Sequence, residues 1–196
     1  MSELILMLVA AYLIGAIPCG LLLTRLVGLG DIRSAGSGNI GATNVYRVGG
    51  RRLGVATLIL DAFKGLLPVL LAVQVFPESL WQVSLVAAAA FLGHCYPVYI
   101  GFKGGKGVAT GLGIYLVLSP VSVLVALGVF AGVLWKWGYV SLASICAAGA
   151  IPLLVVVFER SLPLFLVTLL ISGIVIFRHR ANIERLLSGS ENRFRA

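Results

Sequence analysis

Apolar residues in this chain come in long runs separated by short clusters of glycine, arginine and lysine. The runs occupy residues 4–24, 53–76, 81–101, 108–118, 121–135, 140–158 and 162–177. A bilayer core about 30 Å thick takes roughly 20 helical residues to cross, so most of these runs have the length of a membrane span. The pattern predicts an all-α fold: a polytopic integral membrane helical bundle of seven transmembrane helices, forming a single domain over residues 1–196. The count turns on Ser119-Pro120. Residues 108–118 are short for a span, and joined to the next run they would make one long kinked helix; the expectation is a split at Pro120. No internal repeat and no separate soluble domain is visible, and the short polar stretch 188–196 is expected to fray.

Charge sets the orientation. With seven spans, every Lys and Arg except Lys64 and Arg160 falls on one face, which the positive-inside rule places in the cytoplasm. The N-terminus is then outside and the C-terminus cytoplasmic; six spans would put the C-terminal arginines opposite the loop carrying Arg33 and Arg47. A 60% hydrophobic content with only 11% charged residues excludes a water-soluble domain. The net charge of +8 could suggest a nucleic-acid partner, but the basic residues punctuate apolar runs and form no solvated face, so no nucleic acid is expected. Glu3 stands where a secretory signal would be basic, so the first run reads as a retained span. Cys19, Cys95 and Cys146 lack C-x-x-C or metal-ligand spacing and read as small buried hydrophobes.

Three segments on the expected cytoplasmic face concentrate polar groups. The first reads GSGNIGATN from Gly36, followed by Val45, Tyr46 and Arg47. Its glycines let a ligand approach the backbone, Ser37, Asn39, Thr43 and Asn44 offer hydrogen-bonding groups, and Arg47 is a planar cation suited to phosphate. The plainer reading is a flexible loop in which Thr43 or Asn44 caps a short interfacial helix. The second segment, GFKGGKGVAT from Gly101, opens directly into an apolar helix; free amides at a helix start beside Lys106 suit an anion. It is not a Walker A loop, because Ile100 replaces the first glycine and Gly107 follows the lysine where Ser or Thr is required. The third, RHRANIER from Arg178, puts His179 and Asn182 on one helical face, although a basic stop-transfer helix with Glu184 balancing an arginine would look similar.

Smaller features lie nearby. Asp61 and Lys64 sit at i, i+3 inside the second span, where an unpaired charge would cost about 2.5–3.5 kcal/mol, so mutual neutralisation is expected. His94 reads as a hydrogen-bonded interior residue, and Ser141 and Ser144 as packing residues of which one, Ser144, could reach a substrate. No carboxylate cluster is present to hold Mg²⁺ against a pyrophosphate, so neither a metal nor another cofactor is implied. The surplus of cations and amide donors suits one or two phosphate groups and a developing oxyanion.

Taken in order, GSGNIGATN with Arg47, GGKGVAT and RHRANI resemble the motifs of the bacterial acyl-phosphate:glycerol-3-phosphate acyltransferase (PlsY) family, and the likeness extends to length and span number. The resemblance implies transfer of a fatty acyl group from acyl phosphate to the 1-hydroxyl of sn-glycerol 3-phosphate, giving lysophosphatidic acid and inorganic phosphate. This is the entry to phospholipid biosynthesis, in the bacterial inner membrane, with the active site facing the cytoplasm. Acyl phosphate, glycerol 3-phosphate and membrane lipid are the implied partners. By motif, Ser37 and Arg47 are the essential pair of the first segment. Gly104, Gly105 and Gly107 form the glycerol-3-phosphate loop around Lys106, His179 and Asn182 act in the third segment, and Glu184 supports structure. Direct attack by the glycerol hydroxyl is expected, with Lys106, Arg47 and Asn182 on phosphate, Ser37 near the reacting carbonyl, and His179 as base or orienter. The alternatives are a transporter of phosphate or an organophosphate, disfavoured by the absence of paired broken helices at the midplane, and a scaffold that binds anionic lipid.

Overall fold

The computed structural model describes residues 1–194 and is all-α. In chain order the helices are α1 (Ser2–Gly15), α2 (Cys19–Leu26), α3 (Ala42–Val75), α4 (Leu80–Cys95), α5 (Val108–Leu118), α6 (Pro120–Trp137), α7 (Val140–Phe158), α8 (Leu162–Arg178) and α9 (Arg180–Leu187). Among the described residues, four helical segments are long and apolar enough to cross a membrane, and up to six if each of the bent pairs α1–α2 and α8–α9 is one span. Large apolar side chains such as Leu124, Leu153 and Leu162 point outward on these helices, where lipid is the solvent that accommodates them. The chain forms two compact units, Met1–Val117 and Leu118 onward.

In the first unit α1 packs on α4 and α3, and α2 on α3. The first apolar run is not one continuous helix as expected: it bends by 42° between α1 and α2. Pro18 supplies no N–H to continue the ladder, which exposes carbonyls of the preceding turn. Lys64 answers this break from α3, its Nζ donating to the Ile17 carbonyl at 2.7 Å while lying 2.8 Å from Asp61 Oδ1. The expected neutralisation of Asp61 by Lys64 is thus present, and the lysine also caps a broken span. α3 is itself interrupted at Gly50 (φ 83°), which separates the first helical turns after Gly41 from the long apolar portion. α5 lies backbone-to-backbone on α3, since a Cβ at Gly113 would overlap the Ala62 carbonyl.

In the second unit α7 packs between α6 and α8, and α9 folds against α7 and α8. The helix break at Ser119-Pro120 falls where the sequence indicated, with Pro120 opening α6. Ser119 Oγ donates to Glu159 Oε1 at 2.7 Å and lies 2.6 Å from Ser122 Oγ, so a buried hydroxyl pair ties the start of α6 to the end of α7. The 53° bend between α8 and α9 centres on His179.

Candidate functional site

The first unit gathers two glycine-rich loops at one end. Leu21, Ile32, Ile40 and Val45 form a buried cluster that anchors the loop between α2 and α3, and Ile100, in the turn ahead of the second loop, packs on the same cluster. Within the first loop, Asn44 is 2% exposed. Its Nδ2 donates to the carbonyls of Asn39 (2.8 Å), Ala35 (3.1 Å) and Ile32 (3.3 Å), and its Oδ1 accepts from the Ser37 N–H at 2.7 Å. Gly36 is required by this arrangement, because a Cβ there would overlap Asn44 Oδ1. Asn44 therefore holds the loop backbone together, and the capping by Thr43 or Asn44 of the plainer reading does not occur: Gly41 precedes α3 without a side-chain cap. Asn39 accepts from the Gly41 N–H at 2.9 Å, which tightens the approach to α3. Ser37 and Arg47 are exposed, and Thr43 is half-buried. The Arg33 guanidinium, with its backbone N–H and Arg25 adding further bonds, holds the Asp31 carboxyl well below the usual carboxylate range.

Asn44→Ala is expected to destabilise the protein by about 1–3 kcal/mol, because the loop carbonyls and the Ser37 N–H lose partners that the buried amide supplied. Thermal denaturation in detergent checks this. A change under a few tenths of a kcal/mol would show that the loop holds its shape without the amide.

The second loop is laid on the last turn of α4. Gly104, Gly105 and Gly107 are buried and Lys106 is half-buried between them. The Gly105 N–H donates to the His94 carbonyl at 3.1 Å, and Gly107 (φ 84°) sits where a Cβ would overlap the Phe91 ring. Glycines here serve close packing against α4.

In the second unit His179 is 2% exposed and ends α8. Its Nδ1 lies 2.8 Å from the Val175 carbonyl, which can only accept, so Nδ1 carries a hydrogen. Asn182 is 6% exposed and donates from Nδ2 to Glu191 Oε1 at 2.7 Å. Glu191 also accepts from Ser141 Oγ at 2.8 Å and from Arg185 Nε at 2.6 Å. Burial alone would raise the Glu191 carboxyl, but the bonds from Asn182, Ser141 and Arg185 outweigh it and hold the pKa below the ordinary value of 4.5. The expected fraying of residues 188–196 is therefore corrected: Glu191 is buried, Arg193 Nε donates to Tyr139 Oη at 3.2 Å, and the Phe194 N–H donates to the Gly138 carbonyl at 2.7 Å. Residues 195 and 196 lie outside the described residues. Glu184, expected as the supporting acid, is exposed, and among the described residues it is Glu191 that pairs with Arg185. Ser144 donates to the Val140 carbonyl of its own turn at 2.8 Å, so of the two serines it is Ser141 that joins the Asn182 network.

Comparison with known proteins bears on both units together. The family model described as glycerol-3-phosphate acyltransferase matches residues 5–189. The chain belongs to this family. It is 65% identical over 196 residues, covering the whole of both chains, to a glycerol-3-phosphate acyltransferase of Syntrophotalea carbinolica, and 56% identical over the same span to that of Geobacter sulfurreducens. It is also similar to crystal structures of PlsY (YgiH), an integral membrane glycerol 3-phosphate acyltransferase. The glycerol 3-phosphate form gives a TM-score of 0.94 at 42% identity, covering 98% of this chain and 96% of that one. The lysophosphatidic acid form gives 0.91 at 41% identity with the same coverage. The acyltransferase resemblance drawn from the three motifs is thus correct, and the relatives lend nothing to the transporter alternative.

Sequence reasoning missed Glu191. The only local signal for it was an acidic residue in a polar C-terminal stretch, and nothing in that stretch marks a carboxylate that closes on Ser141, 50 positions earlier in the chain.

Proposed function

We propose that this protein transfers a fatty acyl group from acyl phosphate to the 1-hydroxyl of sn-glycerol 3-phosphate, releasing lysophosphatidic acid and inorganic phosphate. The observation that carries the reading is the likeness across nearly the whole chain to an acyltransferase crystallised in its glycerol 3-phosphate form. Acyl phosphate fits as the donor because it is a mixed anhydride whose leaving group departs readily once cations neutralise it. The protein then needs mainly positioning and electrostatics, and its motifs offer those.

In this reading the hydroxyl oxygen attacks the acyl carbon, the bond from that carbon to the phosphate oxygen breaks, and phosphate leaves with the electron pair. Lys106 and Arg47 neutralise phosphate charge, Ser37 hydrogen-bonds near the reacting carbonyl, and Gly104, Gly105 and Gly107 let backbone amides approach glycerol 3-phosphate. Asn182 donates to phosphate, and Asn39, Thr43 and Ser144 offer polar groups to substrate. Asn44 acts one step back, by shaping the loop that carries Ser37. A phosphate oxygen of the donor accepts the hydroxyl proton, and His179 orients substrate. The pinning of its ring to Val175 and its burial support that role.

The whole chain then works as one domain in the inner membrane. Its seven passages count the two bent pairs and the short α5, with the N-terminus outside and the three motifs and the C-terminus at the cytoplasmic face. The basic residues concentrated at one set of turns support that orientation. The deciding experiment is transfer of labelled glycerol 3-phosphate into lipid by the purified protein without added metal, comparing palmitoyl phosphate with palmitoyl-CoA. Product from the acyl phosphate alone is the expected result. Product from the thioester, or from neither donor with folded protein, would remove this reading.

A further inference from the structure

We infer that His94 is a positioning residue for the Gly104–Gly107 loop, acting as a rigid spacer between that loop and the buried Asp61–Lys64 pair. The inference rests on the acyltransferase reading for the loop's purpose, and on geometry within the first unit for its substance. Asp61, Lys64 and His94 are 2%, 4% and 3% exposed. The ion pair on α3 is already neutral, with Lys64 Nζ 2.8 Å from Asp61 Oδ1 and a further bond to the Ile17 carbonyl. His94 approaches it from α4, Nδ1 lying 3.8 Å from the same Oδ1. That separation exceeds a hydrogen bond, so the ring faces the carboxylate with its Nδ1 edge across a short gap.

The opposite edge of the ring meets the loop. A Cβ at Gly105 would overlap Nε2 and Cε1 of His94 and crowd Cδ2, so the ring packs flush on the Gly105 backbone. The His94 carbonyl meanwhile accepts the Gly105 N–H at 3.1 Å, and it would be overlapped by a Cβ at Gly104. One residue thus touches the loop by main chain and by side chain, and its far side faces a carboxylate fixed by a lysine that closes the break after α1. A flexible side chain in this place would yield to the loop; an imidazole seated against a buried ion pair does not. Lys106 follows Gly105 directly, so the loop's register against His94 sets where its ammonium and the neighbouring amides stand.

The test is steady-state kinetics on full-length protein carrying His94→Ala, His94→Gln, Gly105→Ala and the double change His94→Ala with Gly105→Ala, each with its melting temperature. His94→Ala is expected to raise KM for glycerol 3-phosphate about tenfold while kcat and KM for palmitoyl phosphate stay within about threefold. His94→Gln, which has about the reach of the imidazole without its rigidity, should recover little of the loss. Gly105→Ala should be at least as damaging as His94→Ala, and the double variant no worse than either alone, because the space the ring leaves accepts the methyl group. Additive effects in the double variant would overturn the inference. So would an unchanged KM for glycerol 3-phosphate, or failure of all His94 variants to fold, which would make His94 a determinant of the fold and not of the loop. An inactive wild type would remove the acyltransferase reading; an active wild type with indifferent variants would remove only the role of His94.

Discussion

Lys106→Ala is expected to lower kcat/KM for palmitoyl phosphate and glycerol 3-phosphate by about a thousandfold, with the melting temperature little changed. A phosphate group carries up to two negative charges, and a loop between membrane helices offers less water to screen them than bulk solvent does, so a single ammonium there contributes far more than on an open surface. The flanking residues make the position unforgiving. Gly105 is pressed on the His94 ring and Gly107 on Phe91, so the backbone cannot shift to bring another cation into place. The same packing predicts that Lys106→Arg recovers little, because a larger, planar guanidinium needs a different approach from a compact three-donor ammonium. Activity within about tenfold of wild type for the alanine variant would show that Lys106 does not meet substrate phosphate.

How far the fold could be read from the chain depended on whether the deciding interaction was local. The break at Pro120 was legible because proline lacks the N–H a continuous helix needs, and Pro120 opens α6. The pairing of Asp61 with Lys64 followed from a spacing of three residues and the cost of an unpaired charge in lipid. The bend at Pro18 was visible in principle from the same chemistry, but an unbroken apolar run hid it. What stabilises the bend, Lys64 reaching the Ile17 carbonyl, joins residues 47 positions apart. In the first motif, composition located the loop but could not distinguish side chains that face outward from one that is turned in. Ser37 and Asn44 are both small and polar, yet Asn44 has its amide wrapped in three loop carbonyls. In the third motif the acid that pairs with Arg185 was hidden for a related reason. Glu184 has the helical spacing of a partner, whereas Glu191 reaches Arg185 only because the chain turns back after Leu187.

Glu191→Gln should release the C-terminal segment and cut activity about 10- to 100-fold, although residue 191 belongs to none of the three motifs. The carboxylate accepts from three donors, Asn182, Ser141 and Arg185. A glutamine keeps the shape but loses the charge and turns an N–H₂ toward groups that already donate, which costs about 1–3 kcal/mol. That loss is local. It frees residues 188–194 from the turn at Gly138 and Tyr139, and it leaves the Asn182 amide without the bond that fixes its orientation. Hydrogen exchange should therefore speed up across 188–194 and not across α7 or α8, and kcat should fall more than KM. The sign of the acid dependence follows from the same bonds. Because the folded carboxyl titrates below its ordinary 4.5, the stability it lends is complete above that value and is lost as the pH falls through the lower folded pKa. Protection of 188–194 in the wild type should hold at neutral pH and fail in acid below the ordinary 4.5, whereas in Glu191→Gln it should be low at both. Equal protection of the two proteins across that range, or full activity of the variant, would show that the segment docks without its carboxylate and that the Glu191 bond does not hold Asn182.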